Sequence, residues 1–121
     1  MTLNEPLFTL GIEEEYLLVD METRALVSDP PESLLSECAE VLGKQVTTEL
    51  LRSQIEIGTK VCGNIQEVRE DLARLRKCIA EITGRHGIAP IASSTHPFSQ
   101  WFEQEHTQKD RYESLTAEMQ A

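Results

Sequence analysis

Basic residues are few: 11 Lys and Arg stand against 21 Asp and Glu, a formal net charge of −10. That balance excludes nucleic acid and anionic membrane as expected direct partners, because an acidic surface repels both. It suits cation-binding sites, or simply a well-solvated surface. Cysteine is sparse as well. Cys38, Cys62 and Cys78 are odd in number and lack CxxC spacing, which fits buried or half-buried thiols in a reducing cytoplasm. No apolar run approaches the ~20 residues needed to span a bilayer, and no basic-then-apolar start resembles a signal peptide. Internal repeats, low-complexity tracts and inter-domain linkers are also missing. The 121 residues, 40% hydrophobic and 26% charged, are therefore expected to form one globular domain over positions 1–121.

What is present includes one strong helix signal. Asn64, with Glu67 three residues on, predicts an N-cap resembling a capping box. Ile65, Val68, Leu72, Leu75, Ile79 and Ile82 then recur at three- and four-residue steps, and Gly84 or Gly87 supplies the stop. Upstream, residues 7–19 read as a strand and 25–28 as a short strand able to pair back on it. "SDPPES" breaks the pattern, since neighbouring prolines cannot continue a ladder. Glu32 or Ser33 opens a short helix to Val41, closed by Gly43. Residues 46–51 and 54–59 read as extended pieces joined tightly at Arg52 and Ser53. "IAPIASS" (88–94) reads as a strand whose internal proline places it at an edge or bulge. From Gln100 onward the chain is polar and helix-compatible. The order lacks βαβ alternation and predicts an α+β fold, a mostly antiparallel sheet packed on helices.

"TLGIEEEYLLVD" (9–20) sets three carboxylates inside an otherwise aliphatic strand. Strand side chains alternate, so Glu13 and Glu15 share one face while Glu14 shares the other with Ile12 and Tyr16. Glu14 is then expected at a solvated edge or near the strand's end. Two like charges on one face repel, and a divalent cation with hard oxygen ligands removes the difficulty; a solvent-facing acidic strand is the plain alternative. In "SQIEIGT", Gln54 and Glu56 share one face and Ile55 and Ile57 the other, which suits a polar floor above an apolar, helix-packed face. Glu49 joins the floor if the turn at Arg52 brings it round. His96, in "ASSTHPF", lies where a strand leaves the sheet and is a candidate metal or phosphate ligand, or a packed histidine. Arg111, in "KDRYE", suits a bidentate clamp on a carboxylate or phosphate, or a surface charge.

Taken in order, "GIEEEYLLVD", "ELLRSQIEIGT", "SSTHPF" and "DRYE" resemble the N-terminal part of the bacterial carboxylate–amine ligases, the type 2 glutamate–cysteine ligase family, related in fold to glutamine synthetase. The resemblance implies an ATP-dependent ligase that makes an acyl phosphate from an amino-acid carboxylate and then an amide from an amine. It implies Mg²⁺ (or Mn²⁺) held by Glu13, Glu15, Glu56, Glu49 and His96, with Gln54 and Arg111 as weaker substrate-contact candidates. Members of the family are much longer, so the same resemblance implies an N-terminal fragment of a catalytic domain, incomplete as an active site. Its expected polypeptide partners are the missing remainder of the ligase or a second copy of itself. A non-catalytic acidic interaction domain, or a truncated remnant of the ligase, shares these features.

Overall fold

Helix α2, Ile65–Arg85, follows the pattern expected of it. The Asn64 side chain accepts the Glu67 N–H at 2.9 Å. Glu67 reaches back one residue further than a standard capping box, accepting the Gly63 N–H at 2.8 Å. Val68, Leu75, Ile79 and Ile82 are buried along one face, whereas Ile65, in the first turn, is 70% exposed. Gly87 takes φ +69°, a left-handed conformation that turns the chain out of the helix.

The computed structural model describes residues 4–119. The other elements are strand β1 (Glu13–Asp20), helix α1 (Glu32–Leu42), strands β2 (Val46–Thr48) and β3 (Gln54–Gly58), strand β4 (Ile88–Ile91) and helix α3 (Asp110–Met119). The four strands form one antiparallel sheet in the order β2-β3-β1-β4. This is the α+β arrangement the sequence predicts. One face of the sheet supplies Tyr16, Leu18, Ile55, Ile57 and Ile88 to the core, against Leu34, Cys38 and Leu42 of α1 and Leu75, Ile79 and Ile82 of α2. Gly43, at φ +56°, ends α1 where the sequence placed the stop. Among the described residues no helix is long and apolar enough to cross a membrane.

Asp71 is a buried carboxylate in α2 that ties the helix to both sides of the chain. It accepts the Lys60 N–H at 2.8 Å and the Gln45 amide at 2.9 Å, and pairs with Arg74 at 2.8 Å. Burial pushes this carboxyl up, but these donors outweigh it and hold it below the usual aspartate range.

Several boundaries differ from expectation, each for a local reason. The first strand starts at Glu13 rather than residue 7; before it, Leu10 makes an isolated bridge to Cys62. Residues 25–28 give a single bridge, Leu26 to Val19. Asp20 Oδ1 there accepts the N–H groups of Glu22 and Thr23, and Arg24 takes φ +65°, curling the chain too tightly for a ladder. The extended piece expected over residues 46–51 stops at Thr48. Leu50 and Arg52 hydrogen-bond instead to Thr107 and Glu105. Past Gln100 the helical tendency splits into a 3₁₀ turn, Trp101–Glu103, and α3. Pro90 lies in an edge strand opposite Leu18, as its missing N–H requires.

Candidate metal centre

Antiparallel pairing of β1 and β3 sets Glu15 directly opposite Glu56, and Glu13 opposite Gly58. Ile55 and Ile57 are buried on the helix face, so Glu56 and Gln54 project from the other face. The turn after β2 brings Glu49 to the same place, its carbonyl held by the Thr107 hydroxyl. One carboxylate oxygen from each of Glu15, Glu49 and Glu56 lies within 4.8 Å of the others. The Gln54 amide donates to Glu15 at 2.8 Å, and the Thr47 hydroxyl donates to Glu56 at 3.3 Å. Partial burial, then the charges of Glu49 and Glu13, push the Glu56 carboxyl above the usual glutamate range. The electrostatic field here thus favours a positive charge. The donors are all hard oxygens, the set that Mg²⁺ and Mn²⁺ prefer, so the residues fit such a cation.

Three other residues singled out from the sequence stand outside that group. Glu13 acts on Glu56 through its charge but is not among the three converging carboxylates. His96 has both ring nitrogens engaged: Nε2 donates to the Arg24 carbonyl at 2.8 Å, and Nδ1 accepts the Ser99 N–H at 3.0 Å. Its ring also meets Phe98 edge-on, with centroids 4.5 Å apart. Arg111 is exposed on α3 and makes no ion pair among the described residues.

Glu14 has a part the sequence did not reveal. It lies near the strand's start, but it is not solvated: its side chain is only 20% exposed. Arg76 of α2 pairs with both its carboxylate oxygens, at 2.9 Å through Nε, and the Tyr16 hydroxyl donates to it. Arg76 holds the Glu14 carboxyl below its usual range. Burial, then the bond to Glu14, push the Tyr16 hydroxyl up to about 12. Strand parity already separated Glu14 from its neighbours; the cation 62 residues away had no local signal.

The family described as "Glutamate-cysteine ligase family 2(GCS2)" matches residues 9–121. The chain belongs to this family. A Rhodospirillum rubrum protein named "Putative glutamate--cysteine ligase 2" is 51% identical over 123 residues, a match covering 98% of this chain and 32% of the relative. Proteins of the same name from Jannaschia sp. and Chloroflexus aurantiacus are 51% and 44% identical, covering 98% and 93% of this chain and 31% and 29% of theirs. The chain spans about a third of the length of these curated ligase relatives. In this family member the three-carboxylate group is thus built from two strands and one turn of a single short segment.

Proposed function

We propose that this chain supplies the cation-binding floor of an ATP-dependent carboxylate–amine ligase resembling glutamate–cysteine ligase, working in the cytoplasm and in glutathione-type biosynthesis. The observation that carries the reading is the convergence of Glu15, Glu49 and Glu56 on one sheet face, in a chain of this family. In the proposed reaction a carboxylate oxygen, the γ-carboxylate in the case of glutamate, attacks the γ-phosphorus of ATP. The bond to ADP breaks and an acyl phosphate forms. An amine nitrogen then attacks the acyl carbon, phosphate leaves, and the amine's surplus proton passes to solvent. A bound Mg²⁺ or Mn²⁺ would neutralise phosphate oxygens during this chemistry. Glu15, Glu49 and Glu56 would hold it, with Glu13 adding charge and Gln54 fixing the orientation of Glu15. His96 and Arg111 remain proposed contacts for phosphate and substrate carboxylate; His96 would first have to give up a bond to its own loop.

Calorimetric titration of the chain with Mg²⁺, with and without a non-hydrolysable ATP analogue, tests this reading. Saturable binding is expected, weakened at least tenfold in the Glu15→Gln/Glu56→Gln double variant. A folded chain that binds no Mg²⁺ under either condition would overturn it and favour the acidic interaction domain.

A further inference from the structure

Strand β1 is paired along its whole length on one side only. Its even-numbered residues turn their backbone groups toward β3: the Leu18 N–H donates to the Ser53 carbonyl at 2.8 Å, and the Ile12 carbonyl accepts the Thr59 N–H at 2.9 Å. Its odd-numbered residues turn the other way. Leu17 and Val19 there meet Ile91 and Ala89 of β4. The pairing stops at Ile91, because the Ser93 N–H folds back onto the Ile91 carbonyl at 3.0 Å and the chain swings off. Glu13 and Glu15 therefore direct their N–H and C=O groups at a gap with no paired strand among the described residues. A notch of about 380 Å³ lies there, lined by Glu14, Glu15, Ala92, Ser93 and Ser94.

We propose that this gap is a docking slot for one further β-strand, contributed by polypeptide equivalent to the part of the ligase relatives that this chain does not match. The inference rests on family membership and on strand pairing, not on the ligase reaction. Unpaired N–H and C=O groups at a strand edge are a template for an added strand. The two outer edges of the sheet are poorer templates. On β4, Pro90 and Ile88 lie opposite Leu18 and Asp20, whose backbones face away from β4, so of the two outward positions on β4 one is a proline with no N–H to offer. Alongside β2, the Lys109 ammonium already reaches the Thr48 carbonyl at 3.3 Å, and Thr107 binds the carbonyls of Glu49 and Leu50. The slot also has an occupant of sufficient length, since the match covers only 29–32% of the three relatives above. A strand seated there would convert the carboxylate-bearing half of β1 from an edge into the middle of the sheet. It would also set its own side chains beside Glu13 and Glu15, where a basic or cation-coordinating residue is favoured and a bare acidic one is not.

Amide hydrogen exchange followed by NMR tests this, in EDTA so that neither metal nor nucleotide contributes. In the chain alone the Glu15 amide is expected to exchange fast while those of Tyr16 and Leu17 are protected. The chain is then co-expressed with the unmatched portion of the Rhodospirillum rubrum relative. The expected result is a stoichiometric complex in which the Glu13 and Glu15 amides exchange at least tenfold more slowly. Ser94→Trp, at an exposed position lining the notch, is expected to weaken the complex at least tenfold without changing the chain's thermal unfolding. Glu40→Trp, exposed on α1, is the control and should leave the complex intact. No complex, or one in which Glu13 and Glu15 still exchange fast, would overturn the proposal. So would protection of Glu15 in the chain alone through self-association, or protection conferred by millimolar L-cysteine without added polypeptide.

Discussion

Glu15 and Glu56 face each other across the β1–β3 ladder, and like charges directly opposite weaken such a ladder. Removing one should therefore help the fold while harming the site. In urea titrations without divalent cations, Glu56→Gln is expected to raise the unfolding free energy by up to about 1 kcal/mol, while calorimetry shows Mg²⁺ affinity falling at least tenfold. Glu14→Gln should harm the fold and leave the site unchanged. It removes the carboxylate that Arg76 and Tyr16 share, and Arg76 is 56% exposed, so the loss is modest, about 1 kcal/mol. Mg²⁺ affinity should stay within twofold, because Glu14 faces the helices. Asp71 is the residue whose effect depends on pH. Its folded-state pKa lies below its unfolded value, so its contribution is full above the ordinary aspartate value of about 3.9 and is lost as pH falls through the lower folded value. Asp71→Asn should lower stability at pH 7 by about 2 kcal/mol and flatten the acid limb of the stability curve. Equal losses at pH 7 and pH 2 would contradict this.

At the scale of elements, α2 carries opposite predictions at its two ends. Asn64→Ala removes the side chain that accepts the Glu67 N–H and should cost about 1 kcal/mol in chemical denaturation. Gly84 lies within the last turns at an exposed position, and a Cβ there would meet nothing within 4 Å. Gly84→Ala should therefore stabilise by about 0.5–1 kcal/mol. The helix was legible in the sequence because its cap, period and stop all lie within one stretch of chain. Strand limits were less so, because a strand ends where its partner ends: β2 stops at Thr48 when residues 105–107 take over pairing with residues 50–52. The site divides along the same line. Glu15, Glu56 and Gln54 share a face by period-two alternation alone, and Glu49 needed only one short turn. The engagement of His96 by Arg24, and of Glu14 by Arg76, depends on partners 72 and 62 residues away, which no local pattern encodes.

For the whole molecule, a net charge of −10 means that any salt relieves some self-repulsion on folding, so a rise in melting temperature with Mg²⁺ does not by itself identify a site. Site binding and screening differ in what they depend on. Screening follows ionic strength and acts on all exposed charges, whereas a bound ion stabilises the native state by RT ln(1 + [L]/Kd), about 2.7 kcal/mol at one hundred times Kd. For a chain of this size that corresponds to a shift on the order of 10 °C. With MgCl₂ at about one hundred times the calorimetric Kd, the melting temperature of the wild type should therefore exceed that in NaCl of equal ionic strength by roughly this amount. In Glu15→Gln/Glu56→Gln the MgCl₂ excess should fall to about half or less, since binding weakened tenfold leaves about 1.4 kcal/mol at the same Mg²⁺ concentration. The double variant is less acidic, so its response to NaCl should also be weaker than that of the wild type, which fixes the screening baseline. An excess for MgCl₂ that survives undiminished in the variant would assign the stabilisation to carboxylates elsewhere on the surface, and the convergence of Glu15, Glu49 and Glu56 would then not be the cation site.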